Sequence, residues 1–305
     1  MVDQYARFIS SLRLGEPTQT GSLTAVPLLR SGEVADAELL EEGIDQGHTV
    51  VKEVDDAGVV NIVTVSHIGQ KPLLLLGGEQ ILGAKQNRVF NASFLVGPGT
   101  SVRIPVSCVE RGRWRHQSRE FQAGHTTLTS TARTRILRRV TRSTLSGRGG
   151  YDADQHAVWR DVDDYLTTSR VRSPTGSFAD GYASRARTVE QQIESLSPVP
   201  DQVGVAFLHG GRFLCLDVLG SPALWSRAWK KLVRGVLAES YTTAPPPVDP
   251  ISQVREVLSQ AITAKVTRVD SPGSGETLHA ECDKLTVGGV AQSDEVYHVV
   301  GAAPQ

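Results

Sequence analysis

GGEQILGAKQNRVFN, from Gly77 to Asn91, and IPVSCVERGRW, from Ile104 to Trp114, decide how this chain is read. Each joins an apolar, β-forming run to a polar cluster. They bring Glu79, Lys85, Gln86, Asn87, Arg88, Asn91, Cys108, Glu110, Arg113 and Trp114 into one short span. Buried amides and charges forfeit several kcal/mol of hydration unless partners replace the water. Such a cluster is therefore either a self-satisfied polar network or the lining of a ligand pocket.

Around the two motifs, Ser22 to about Val109 is β-rich. LTAVPLL, HTVVKEV, VVNIVTV, KPLLLL, RVFNASFLV and SVRIPVSCV are β-branched or Leu-rich runs, punctuated by Gly or Asp. Val54 and Val59 flank the DDAG turn at Asp55–Gly58, a hairpin signal. A short helix is expected in ADAELLEEGI. Helical spacing of apolar residues then predicts helices over Thr129–Thr144, Asp152–Ser169 and Ala179–Leu196. Gly210-Gly211 predicts a second hairpin, and Ser221-Pro222 caps and starts a helix. Ile251–Ala264 is a further amphipathic helix, followed by strands in KVTRV, ETLHAE and VYHVV. The expected class is α+β: a β-rich N-terminal sandwich or open barrel, with helices from the middle and C-terminal parts. The Pro-rich Ala244–Pro250 separates a 1–243 α+β domain from 251–305, which is expected to pack on the same domain.

Composition narrows the function classes. A net charge of -1 disfavours wholesale nucleic-acid binding. No apolar run reaches the eighteen residues of a membrane span, and the N-terminus carries no signal-peptide pattern. Three widely spaced cysteines, Cys108, Cys215 and Cys282, fit a reducing, cytoplasmic setting and form no metal-ligand spacing. The residues assign neither a metal nor a cofactor.

Several constellations compete for chemistry. Gly78 and Gly83 mimic a phosphate-binding loop, but Ala84 precedes Lys85, and Gln86 stands where a magnesium-binding hydroxyl is needed. Glu79 and Glu110 read better as an acid/base pair. Beside them Lys85, Arg88 and Arg113 would hold an anion, Trp114 would stack on a ring, and Gln86, Asn87 and Asn91 would read polar edges. The competing reading is that these groups merely knit neighbouring strands. Cys108, flanked by Arg111 and Arg113, is a candidate nucleophile, or else a small buried hydrophobe. In YDADQHAVWRDVDDYL, capping by Asp152 or Asp154 and a solvated face carrying Asp161 and Asp164 outweigh a metal site. The Arg135–Arg142 stripe reads as a solvated or partner-facing helix face.

The two motifs, with the SPTG turn at Ser173–Gly176 and the Val203–Pro222 segment, resemble a prokaryotic family. It is the ARG and rhodanese-phosphatase-superfamily-associated protein domain, in which ARG stands for ADP-ribosylglycohydrolase. The resemblance runs from about Leu23 to Tyr241. Its pattern falls on Gly78, Glu79, Gly83, Gln86, Asn87, Arg88, Asn91, Pro105, Cys108, Glu110, Arg113 and Trp114, and assigns none of them a role. Through its genomic company with ADP-ribose- and NAD-linked metabolism, it implies a nucleotide-like ligand. Two functions stay open: a protein that binds or hydrolyses such a metabolite, and a non-enzymatic interaction or scaffolding protein whose polar motifs are structural.

Overall fold

The computed structural model describes residues 4–32, 35–55, 59–147 and 150–303. Helix α1 (Gln4–Ser10) is followed by short strands β1 (Arg13–Leu14) and β2 (Thr18–Thr20) and by β3 (Leu23–Leu29). Strand β4 (Glu38–Leu39) leads into α2 (Leu40–Asp45). Then come β5 (Thr49–Glu53), β6 (Ile62–His67), β7 (Leu73–Leu75), β8 (Glu79–Gly83), β9 (Arg88–Phe90), β10 (Phe94–Val96), β11 (Thr100–Cys108) and β12 (Phe121–Thr127). Helices α3 (Ser130–Leu145), α4 (Gln155–Thr168) and α5 (Phe178–Ile193) occupy the middle. The hairpin β13 (Gln202–His209) and β14 (Arg212–Leu219) precedes α6 (Pro222–Leu237) and α7 (Pro250–Thr263). Strands β15 (Thr267–Asp270), β16 (Glu276–Cys282), β17 (Leu285–Gln292) and β18 (Glu295–Ala302) close the fold.

The class is the expected α+β. Strands β12-β8-β9-β11-β6-β5 form one sheet, which curls until a bridge between Lys52 and Glu120 joins its two edges. The β5–β6 hairpin forms as expected, although its tip, Asp56–Gly58, lies outside the described residues. Strand β3 does not join this barrel. It pairs with β13 instead, in a second sheet ordered β1-β3-β13-β14-β18-β17-β16-β15. The C-terminal strands thus continue the sheet that the β13–β14 hairpin starts.

Local chemistry explains the boundaries. Thr129, Asp154, Ser221 and Asp249 accept backbone hydrogen bonds at the starts of α3, α4, α6 and α7. Gly210 and Gly211 turn the hairpin with positive φ at both positions. One expectation is corrected. Asp161 does not face solvent; it is buried between Arg135 (2.8 Å) and Arg139 (2.6 Å) of α3. The arginine stripe therefore docks α4, and Arg142 docks on Glu281 of β16 (2.7 Å).

Apolar side chains fill the barrel, with Val63, Val65, Ile81, Phe90 and Phe121 fully buried. A second cluster surrounds Trp225, Trp229 and Leu232 of α6, and a third packs α1 and α7 against the large sheet. Beside the apolar cluster that packs Leu74, Leu76 and Leu95 against the large sheet, polar contacts also join barrel and sheet. Arg133 of α3 binds both carboxylate oxygens of Asp217 on β14 (2.8 and 2.6 Å) and donates to Gly77 O (2.7 Å). His298 of β18 bridges Asp217 (3.0 Å) and Ser93 (2.7 Å), and Ser93 Oγ accepts from Gly77 N (2.9 Å). Gly78 is required here: a Cβ would lie 2.5 Å from Arg133 Cγ, and its φ is positive.

Burial opposes ionisation of Asp217, but Arg133 and His298 overcome it and hold its pKa at about 2. A depressed folded pKa gives stability that is complete above the ordinary value of 3.8 and drains as pH falls through about 2. That depression corresponds to roughly 2–3 kcal/mol. In urea unfolding titrations, stability should therefore fall between about pH 4 and pH 2, and an Asp217→Asn variant should lose that part of the pH dependence. At neutral pH, Arg133→Met should cost about 3–5 kcal/mol by stranding a buried carboxylate. A loss below about 1 kcal/mol would show that the junction tolerates an unpaired Asp217.

Candidate functional site

The signature residues gather into two polar nodes rather than one pocket. The outer node is built on Glu110, just beyond β11. Its carboxylate accepts from Asn87 N (3.0 Å), Arg113 Nη2 (2.6 Å) and Thr175 Oγ1 (2.9 Å). Gln86 Nε2 donates to Glu110 O (3.0 Å), and Asn87 Nδ2 reaches Ser177 Oγ (3.3 Å). Asn87 Oδ1 accepts from Gly83 N (2.9 Å) and Arg113 (3.2 Å). Arg113 also binds the carbonyls of Gly83 (3.1 Å), Ala84 (2.7 Å) and Arg115 (3.1 Å). Three separate stretches, 83–88, 108–115 and 173–177, are thereby held together by one carboxylate and one guanidinium.

Glu79 lies elsewhere. It starts β8, while Glu110 sits at the Gly83 end, and four residues of strand span roughly 13 Å. Glu79 binds Lys231 of α6 (2.6 Å) and Leu76 N (3.1 Å), as part of the barrel–sheet junction. The expected Glu79/Glu110 acid/base pair therefore does not assemble. Burial works against Glu110 ionisation, yet Arg113, the Asn87 amide and Thr175 more than compensate and hold its carboxyl below the ordinary range. A saturated carboxylate of that kind is a weak proton acceptor and serves as a clamp.

The remaining candidates are also engaged. Arg88 is fully buried inside the barrel, bidentate on Glu53 (2.7 and 2.9 Å) and bound to the carbonyls of Val59 and Ile62. Asn91 donates to Tyr151 O (2.8 Å) and accepts from Ser107 Oγ (2.7 Å). Cys108 is buried opposite Arg88, and burial pushes its thiol pKa up. That is the opposite of what a nucleophilic thiolate requires. Gln155 brackets the Cys108 backbone, accepting from its N–H and donating to its carbonyl.

Trp114 is directed outward, with the buried Lys85 against its ring. Trp114 keeps 49% of its surface exposed, and Lys85 Nζ lies 5.3 Å from its ring centroid. The loop carrying Trp114 is pinned from beneath by Arg113. Beside it opens a groove of about 720 Å³ between the Arg111–Gly112 segment and the SPTG turn.

Sequence reasoning passed over the partners. Thr175 and Ser177 lie in or beside the flagged SPTG turn, and Asp217 and His298 interrupt apolar strands, which is a readable signal. Glu53, Gln155, Lys231 and Arg133 carry no local signal. Ser93, His298 and Asp217 are bonded in the order of a hydrolytic triad. The cavity beside Ser93 measures only about 20 Å³, room for one water, and Arg133 closes on both Asp217 oxygens. That chain is an interlock. Among the described residues no group of three His, Cys, Asp or Glu side chains is arranged to hold a metal. None of the described helices is long and apolar enough to cross a membrane.

Comparison with known families gives a match over nearly the whole chain. Residues 11–302 match the ARG and Rhodanese-Phosphatase-superfamily-associated Protein domain. The chain belongs to this family. The match extends past the Pro-rich segment and takes in α7 and β15 to β18. Comparison with curated proteins and with solved structures finds no match.

Two outcomes test the clamp. Glu110→Ala leaves Arg113 buried without its carboxylate and should lower stability by about 3–5 kcal/mol, measured by urea unfolding. Cys108 in the native protein should resist iodoacetamide, as followed by peptide mass mapping, and become alkylated only in denaturant. Rapid native alkylation at Cys108 would contradict its burial.

Proposed function

We propose that this protein binds an anionic, ring-bearing metabolite of the ADP-ribose or NAD-related class on the face that exposes Trp114, beneath which Lys85 is packed. The observation carrying the proposal is that Trp114, alone among the signature side chains, stands about half out of solvent protection. A tryptophan offers up to roughly 250 Å² of apolar surface, so a rigidly held, exposed one is suited to stacking on a planar ring. Lys85, itself buried, places its cation against that ring and helps to seat the tryptophan. The buried Glu, Arg and Asn residues act as the frame that presents this pair. Binding is favoured over hydrolysis because the Glu79 and Glu110 carboxylates are already paired with cations. Membership of a family named for its association with ADP-ribosylglycohydrolase supports the ligand class. Sparse, unpaired cysteines support a cytoplasmic setting.

A second reading has its own support. An exposed tryptophan flanked by cations on a rigid loop is also a favourable anchor for a protein partner. The alternative function is therefore an interaction subunit whose polar motifs are purely structural.

A thermal-shift titration of the intact chain with ADP-ribose, NAD and adenosine separates the two, because a ligand that prefers the native state must raise its melting temperature. The wild type should shift. Trp114→Ala should fold with nearly unchanged stability and lose most of the shift. No shift with any of the three compounds would rule out the metabolite reading and favour the interaction subunit.

A further inference from the structure

We infer that the groove between Arg111–Gly112 and the SPTG turn is a phosphate subsite, taking the pyrophosphate of a ligand whose ring rests on Trp114. The inference builds on the Trp114 face proposed above and adds where its charged half lies. The groove, about 720 Å³, falls within the range of small-molecule sites. Its lining includes Arg111, Arg172 and Asp163. Asp163 steadies Arg111 at 3.3 Å. Arg172 is exposed, and among the described residues no carboxylate forms an ion pair with it. The groove therefore carries a surplus of positive charge, with guanidiniums shaped for bidentate contact with phosphate oxygens.

The frame explains why the two arginines share this groove. Gly112 N donates to Thr175 O (2.7 Å), and a Cβ on Gly112 would lie 3.0 Å from the Thr175 backbone. A larger residue at 112 would have to push the motif loop a few tenths of an ångström off the turn. Thr175 Oγ1 is held in turn by Glu110 (2.9 Å). Trp114 follows Gly112 by two residues, about 7 Å of chain at most, so stacking surface and phosphate groove are within the span of one dinucleotide-like ligand. A smaller cleft beside α3, about 340 Å³, sets Asp161, Asp164 and Glu239 against Arg135 and would repel such an anion.

Inorganic pyrophosphate and adenosine probe the two halves separately, by calorimetric titration of the intact chain. Pyrophosphate should bind the wild type and Trp114→Ala alike, and bind Arg172→Ala about tenfold more weakly, as expected for loss of a charge-assisted contact. Binding should also weaken with added salt. Adenosine should bind the wild type and Arg172→Ala, but not Trp114→Ala. Pyrophosphate that fails to bind the wild type, or that binds Arg172→Ala equally well, overturns the phosphate subsite. Adenosine that fails to bind the wild type overturns the Trp114 face, whatever pyrophosphate does. Arg172 is exposed, and an unchanged melting temperature of Arg172→Ala without ligand confirms that its fold is intact.

Discussion

The bidentate pair between Arg133 and Asp217 is the contact on which the two halves of this protein depend. The barrel and the large sheet each have an apolar core, the cluster around α6 links the two sides, and a buried charge pair extended through His298, Ser93 and Gly77 sets how they meet. Burying two charges costs several kcal/mol, recovered only when geometry and further hydrogen bonds are good. Here each Asp217 oxygen meets a guanidinium nitrogen, and the spare Nε–H of Arg133 is taken by Gly77 O. Such a junction contributes little net stability over an apolar one. It does fix orientation, because a slip of one strand residue would strand a charge. Glu79 and Lys231 repeat the device a short distance away, tying α6 to the first residue of β8.

The outer node applies the same physics to loops. Irregular segments normally run over the surface because their backbone groups need water. The loop over residues 83–87 is buried instead, and Arg113, Asn87 and Gln86 substitute for that water at the carbonyls and amides of the node. This explains a polar signature that is rigid and chemically quiet. The groups that look reactive in the sequence are consumed in holding the loops. What the arrangement yields is a loop whose tip, Trp114, is held at a fixed place without being buried itself.

Much of the fold was legible because its signals are local. Ser221-Pro222 and Gly210-Gly211 act through their own backbone geometry, and the helices of the middle third declare themselves by spacing. Strand β12 was hidden, since FQAGHTT has almost no apolar alternation, and β17 was hidden by Gly288 and Gly289 in its centre. That β3 crosses to β13 depends on a pairing some 180 residues away in sequence, which no local pattern records. The candidate site was legible only as a list of residues. Their partners, Glu53 for Arg88 and Lys231 for Glu79, come from distant elements, so pattern alone could not tell a locked residue from an available one. Asp161 was misplaced for the same reason: its helix face is polar, but α3 brings two arginines to it.

Family signatures are usually read as active sites because buried polar residues are costly to keep. The cost is real, but it is offset equally well by a partner as by a ligand, and the two cases differ in what remains unsatisfied. At Glu110 the acceptors are filled by Arg113, Asn87 and Thr175, and the depressed pKa follows from that filling. A ligand that displaced Arg113 would have to replace its bonds to Gly83, Ala84, Asn87 and Arg115 as well. No small anion provides that set of donors, since phosphate at neutral pH is itself mainly an acceptor. Any recognition at this node is therefore confined to its outer surface, where Trp114, Arg111 and Arg172 meet solvent at no cost to the buried frame.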